Sequence, residues 1–130
     1  RMRISMIGLG AWVALIGLSV LPTVDAATAT AAAANGNVAF GNGRTVQNAQ
    51  SFALSNAGAG SRVLASSPSN GWCAIAKSTD SQGRWVFGTS VAMGSERDAR
   101  TSAQQDLIAK GGSIATSRKF WIGAQLLNQF

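Results

Sequence analysis

The chain has 130 residues, of which 46% are hydrophobic and 12% are charged, so it is too apolar for a disordered basic tail and suits one small domain. Its 11 Lys and Arg residues outnumber its 5 Asp and Glu residues, which gives a formal net charge of +6. Histidine is absent and cysteine occurs once. The composition therefore argues against a disulfide framework, a Cys- or His-based metal site, and nucleophiles activated by histidine.

Residues 1–26 have the organisation of a secretory signal peptide. Arg1 and Arg3 precede an uncharged apolar run that Pro22 breaks, and small residues around Ala26 suit a signal peptidase. An uncleaved anchor is the alternative, because about 20 apolar residues can span a bilayer. Glycines in the run and the early proline favour cleavage. We therefore expect a secreted or periplasmic bacterial protein that meets the membrane only through this segment, before cleavage.

Residues 27–37 (ATATAAAANGN) are low in complexity and have no apolar period. This pattern predicts a flexible Ala-rich leader, although its run of alanines is equally compatible with one helical turn. The predicted domain is therefore 38–130.

The first half of this domain predicts strands on both sides of a helix. Thr45 is a candidate N-cap, the apolar residues that follow keep the 3–4 spacing of one helical face, and Gly58 and Gly60 end the helix. A turn is predicted at 66–71 from its Ser, Pro, Asn and Gly residues. The predicted elements are a strand at 38–40, a helix at 46–56, and strands at 62–65 and 72–77.

The second half repeats this order. A hairpin turn at 79–83 leads to a strand at 84–93, in which Gly88 suits a bulge. Ser95 and Asp98 resemble a capping box, and the helix that they open ends at Gly111 and Gly112. Further strands are expected from Ile114 and from Phe120.

The Phe40-Gly41 pair, followed by a helix and two glycines, is echoed by Phe87-Gly88, a helix and two glycines. Two strand–helix–strand half-repeats of this kind indicate the α+β class. We expect one small domain in which two helices pack on one face of a mixed or antiparallel sheet.

Three segments in this order resemble a known family. They are the W-x-A-I-A-x-S strand at 72–78, the Phe-Gly strand at 85–88, and the Ala-rich helix that opens at 95–99. Together they are similar to the family called domain of unknown function 4189, and the first half fits the same template more loosely. The resemblance implies a small secreted bacterial α+β domain without an established activity. Family cysteines are missing from 106–113, so any family disulfide is missing too.

Four carboxylates follow the signal segment: Asp80, Glu96, Asp98 and Asp106. Paired carboxylates can hydrolyse glycosides. However, Glu96 and Asp98 fall in a predicted first helical turn, where negative charge is favoured, and Asp80 falls in a predicted turn. Since no motif activates a serine either, we predict a non-enzymatic protein without catalytic, cofactor or metal residues.

The basic residues are the remaining lead. Arg118, Lys119, Phe120 and Trp121 place two cations beside two aromatic rings, a combination that can hold an anionic polymer or a lipid headgroup surface. The alternative is that the aromatics belong to the core and the cations are solvated. No motif supports a specific nucleic acid partner.

We therefore predict a small exported envelope protein that acts as a binding module for an anionic polymer or a protein. The alternative is a secreted enzyme inhibitor, with a rigid loop at 66–71 or 79–83, or a small hydrolase. Cys73 is either a buried small hydrophobe or the link in a disulfide dimer. Leu126, Leu127 and Phe130 are expected to pack as a short helix or last strand, or to meet a partner.

Overall fold

The computed structural model describes residues 26–114 and 119–128. The strands form two three-stranded antiparallel sheets, with the orders β2-β1-β3 and β5-β4-β6. The α+β class is confirmed, and the strands form two sheets rather than one. The elements in chain order are β1 (Ala27–Ala33), β2 (Val38–Gly43), α1 (Val46–Ala57), β3 (Ser61–Ser67), β4 (Gly71–Thr79), β5 (Trp85–Met93), α2 (Glu96–Ala109) and β6 (Trp121–Leu127).

Each sheet carries its own helix on one face. Alternate residues of a strand point to opposite faces, so Ala27, Ala29 and Ala31 of β1 form one row, which packs against α1. Ala74 and Ala76 of β4 form the corresponding row against α2. The small side chains allow both helices to lie close to their sheets.

The other faces of the two sheets pack against each other. Ala32, Ile75 and Phe87 form a buried cluster between them. Polar side chains also join the sheets, since the hydroxyl oxygens of Thr30 and Thr89 are 2.8 Å apart. The layers therefore run helix, sheet, sheet, helix.

The segment predicted as a flexible leader is instead the central strand of its sheet. All seven residues of β1 are buried, with β2 on one side and β3 on the other. Only 34–37 form a turn, so the prediction of a leader at 27–37 is wrong and the domain includes Ala27. The alternation of Ala and Thr matches the two environments of β1, because the alanines face α1 while Thr30 faces the second sheet. Residues 1–25 of the predicted signal peptide lie outside the described residues.

The predicted half-repeats are larger than expected, because each contains a strand, a strand, a helix and a strand. Residue pairs in the β1–β2 and β4–β5 hairpins correspond at a constant offset of 47: Thr30 pairs with Phe40, as Lys77 pairs with Phe87. The last strand of the second half begins at Trp121 and contains both C-terminal leucines. Ile114, expected to begin a strand, lies outside β6 and is exposed.

Both predicted helix N-caps are confirmed. The Thr45 hydroxyl accepts a hydrogen bond from the backbone N–H of Asn48, and the Ser95 hydroxyl accepts one from Asp98, each at 3.1 Å. The predicted bulge at Gly88 is wrong. The register of β5 shifts further along, near Ala92, whose φ is 56°.

Candidate anion-binding site around Trp85

Lys77 lies at the rim of the sandwich, on the face of β4 that looks toward the other sheet. Its Nζ donates a 2.6 Å hydrogen bond to the carbonyl oxygen of Gly36, in the turn between β1 and β2. The same Nζ is 5.0 Å from the ring centroid of Trp85 and 5.5 Å from that of Trp121. A single ammonium group therefore joins two indole rings and the opposite hairpin.

Strand register places these side chains together. Lys77 and Trp121 are direct partners in the β4–β6 ladder, so they project from the same face. Trp85 begins β5, directly after the hairpin turn, and pairs with Thr79 two residues beyond Lys77.

Glycines leave room for both indoles. A Cβ on Gly36 would be 2.7 Å from Cε2 of Trp85, and Gly36 also has φ of +97°, which side chains rarely adopt. The Trp121 ring lies over Gly123 of its own strand, where a Cβ would collide with it. The two rings are thus fixed by backbone shape as well as by Lys77.

Lys119 adds a second cation. Its Nζ is 5.7 Å from the ring centroid of Trp85, and the residue is exposed. Trp121 keeps 41% of its surface exposed. We call Lys77, Trp85, Lys119 and Trp121 the Lys77 cluster. Cations over indole faces are held by the ring quadrupole.

The structure brings together two of the four predicted binding residues, Lys119 and Trp121. Phe120 points the other way and packs against the α2 side of its sheet, as the core alternative expected of an aromatic. Arg118 lies outside the described residues. Sequence reasoning missed Lys77 and Trp85, although their positions on either side of one hairpin turn were the available signal.

The carboxylates serve local structure. Asp80 accepts hydrogen bonds from the backbone N–H groups of Gln82 and Arg84, at 2.8 and 3.0 Å, and pairs with Arg84 Nε at 3.0 Å. The Arg84 N–H, supported by the Gln82 N–H and the guanidinium, holds the pKa of Asp80 below its usual range. The Asp80 carboxylate therefore stabilises the hairpin turn that directly precedes Trp85.

The remaining carboxylates belong to α2. Glu96 pairs with Arg100 at 2.8 Å, and Asp98 lies in the first turn. Asp106 accepts the backbone N–H of Thr89 at 2.9 Å, which ties α2 to β5. Among residues 26–114 and 119–128, no group of three or more Cys, Asp or Glu side chains is placed to hold a metal ion.

A cleft lies against Trp85. It is lined by 32–34, Gly60, Arg62, Gly83, Arg84, Trp85 and Phe87, and has a volume of about 570 Å³. We call it the arginine cleft. It opens where the two hairpin turns meet the start of β3, so Trp85 belongs to both the cleft and the Lys77 cluster.

Cys73 is completely buried between the sheets. Burial raises the pKa of its thiol, against the smaller opposing effects of hydrogen bonds with the Ala92 backbone and the Thr28 hydroxyl. A second chain cannot reach this sulfur while the domain is folded, so the structure gives no support to a disulfide dimer.

No family model, no curated protein and no solved structure matches the chain. The resemblance to domain of unknown function 4189 therefore stays a prediction. In the described part of the chain, neither helix has the length and apolar character that crossing a membrane requires.

Proposed function

We propose that the protein is an exported, non-enzymatic binding module that holds an anionic envelope polymer on the Lys77 cluster. The observation that carries the proposal is the placement of the Lys77 ammonium between two indole rings, with the Lys119 ammonium on Trp85. Cations and flat apolar rings together suit a chain that alternates negative charges with apolar surface.

Three physical properties support this proposal. The chain carries a formal net charge of +6, which attracts polyanions over distances of about a Debye length. The Lys77 side chain is already anchored by its hydrogen bond to Gly36, so little further side-chain entropy is lost when a ligand binds. Trp121 is also half-exposed, and tryptophan is among the residue types enriched in energetically dominant contacts.

One observation favours a second candidate, a secreted enzyme inhibitor. The 80–84 turn is braced by three hydrogen bonds to one carboxylate, that of Asp80, and its residues 81–84 are exposed. A braced loop of this kind can enter the cleft of a target enzyme without losing much entropy. The inhibitor function requires an enzyme as its target, whereas the binding module requires a polyanion.

The decisive experiment measures binding of dextran sulfate and of uncharged dextran by intrinsic tryptophan fluorescence, at low and high salt. We expect dextran sulfate alone to bind, with affinity that falls as salt rises. Lys119→Gln and Trp121→Ala should each weaken binding by about tenfold, which corresponds to one charged or aromatic contact.

Arg97→Gln is the matched control, because it removes one exposed charge from α2, on the opposite side of the β5-β4-β6 sheet. If Arg97→Gln weakens binding as much as Lys119→Gln, net charge rather than the Lys77 cluster is responsible and the proposal fails. Equal binding of the uncharged dextran also contradicts it.

A further inference from the structure

The arginine cleft has the size of a small-molecule site. Its volume of about 570 Å³ falls within the usual range for such sites, about 300–1,000 Å³. The hairpin turns of the two half-repeats form opposite sides, and β3 supplies a third. No neighbouring atom lies within 4 Å of the position that a Cβ on Gly60 or Gly83 would take, so the cleft stays open at these edges.

Part of the cleft wall is apolar. Residues 32–34 are alanines, and Trp85 and Phe87 add aromatic rings. Ala32 and Phe87 belong to the buried cluster between the sheets, so the cleft reaches the edge of the core. A flat apolar body fits such walls better than a flexible polar chain does.

Two guanidinium groups line the same space. Arg62 is the ladder partner of Ala32, so its side chain leaves β3 on the face that looks toward the second sheet. Across the described residues, the Arg62 guanidinium makes no hydrogen bond or ion pair with the protein. Arg84 differs, because its Nε is bound by Asp80 while its other donors remain.

These charges select a monoanion. Asp80 balances Arg84, which leaves Arg62 as the uncompensated charge beside an apolar wall. A guanidinium presents a planar fork that matches a carboxylate through two parallel hydrogen bonds. A cationic ligand would meet two positive groups in the same cleft.

We propose that the arginine cleft binds a small carboxylic acid with an aromatic or other flat ring, with the carboxylate on Arg62 and the ring against Trp85 and Phe87. This site shares Trp85 with the Lys77 cluster but is otherwise built from different residues. Its ligand enters between the hairpin turns, and its recognition depends on Arg62 rather than on Lys119.

Calorimetric titration of the protein with 2-naphthoate tests the proposal. The uncharged analogue 2-naphthamide tests the role of the carboxylate, and acetate tests the role of the ring. We expect saturable binding of naphthoate and at least about tenfold weaker binding of both comparison compounds, the cost of one charged hydrogen-bonded contact or of the ring burial. Arg62→Gln should weaken naphthoate binding by about tenfold or more.

A matched pair at Ala34 isolates the charge in the cleft. Ala34 is exposed in the turn and lines the cleft. Ala34→Glu supplies a competing carboxylate, whereas Ala34→Gln has nearly the same size without charge. Naphthoate should be lost in Ala34→Glu and retained in Ala34→Gln.

The proposal is overturned if naphthamide or acetate binds as well as naphthoate, if Arg62→Gln binds naphthoate normally, or if no saturable binding occurs. Trp121→Ala distinguishes the two sites, because Trp121 belongs to the Lys77 cluster and does not line the cleft. It should weaken dextran sulfate binding and leave naphthoate binding unchanged. Loss of both ligands in Trp121→Ala would mean that a single surface serves both, which contradicts a distinct cleft site.

Discussion

Gly88 of β5 lies directly against Leu107 of α2, so that a Cβ on the glycine would be 2.7 Å from the Leu107 Cα. Gly41 has the same relationship with α1, where a Cβ would be 3.0 Å from the Cα of Ala53. The two glycines correspond in the half-repeats at the offset of 47. Helix and strand backbones therefore touch in both halves. Because neither glycine has a side chain, each helix can lie this close to its sheet.

Gly88→Ala should destabilise the protein by about 1–3 kcal/mol, because the added methyl group forces α2 away from its sheet. Urea unfolding followed by circular dichroism measures this change in the free energy of unfolding. Gly94→Ala is the control, since a Cβ there meets no atom within 4 Å and should change stability little. Equal stability of the Gly88 variant and the parent protein would show that the layers are free to separate.

The sequence predicted those elements whose signals are local. The N-caps Thr45 and Ser95 and the glycines after α1 act on their neighbours in the chain, so their identity was sufficient. β1 was missed because five of its seven residues are alanines, which are depleted in strands. Its burial depends on α1 and the second sheet, which no local pattern reveals.

The residues of the candidate site were likewise predicted only where they are close together in the sequence. Lys119 and Trp121 were found because cation and aromatic are close in sequence. Lys77 and Trp85 meet them only through the β4–β6 ladder and the hairpin, whose register is a tertiary property. Phe120, directly before β6, and Trp121, its first residue, lie on opposite sides of the sheet, as the period of 2 of an extended chain predicts.

Ala29→Asp tests whether β1 is the central strand. Ala29 is 0% exposed and faces α1, so a carboxylate there would be buried without a partner. We expect the free energy of unfolding to fall by about 3 kcal/mol or more. A variant that is already unfolded at ambient temperature would agree with this expectation. Thermal unfolding by circular dichroism is the measurement.

Ala34→Asp makes the same chemical change five positions later, in the exposed turn. It should alter stability by less than about 0.5 kcal/mol. If both variants are equally harmless, residues 27–33 do not form the strand. If both are equally damaging, the charge itself rather than its burial is responsible.

Lys77→Met should destabilise the domain by about 1–3 kcal/mol. The substitution keeps the apolar stem and removes both the hydrogen bond to Gly36 and the cation–π contacts with the two indoles. Lys119→Met removes an exposed cation with a contact to one indole, so it should cost less than Lys77→Met, about 0.5–1 kcal/mol. Urea unfolding of both variants compares them. A larger effect at Lys119 than at Lys77 would contradict the anchoring role of Lys77.

Burial of Cys73 predicts a specific loss of stability at alkaline pH. The folded state raises the pKa of the thiol, so between the unfolded and folded pKa values the folded protein holds a proton that the unfolded chain has released. The stabilisation is complete below the unfolded pKa of about 8.5 and is lost as the pH rises. Its slope cannot exceed about 1.4 kcal/mol per pH unit, the value for one proton.

Cys73→Ala isolates this effect, because all other titrating groups are shared with the parent protein. The difference in free energy of unfolding between parent and variant should be constant below pH 8 and shrink above about pH 8.5. The thiol of the folded parent should also react with a disulfide reagent only after urea is added, since it is 0% exposed. Rapid reaction without urea, or a stability difference that grows with pH, would place Cys73 at the surface and restore the disulfide dimer as a working hypothesis.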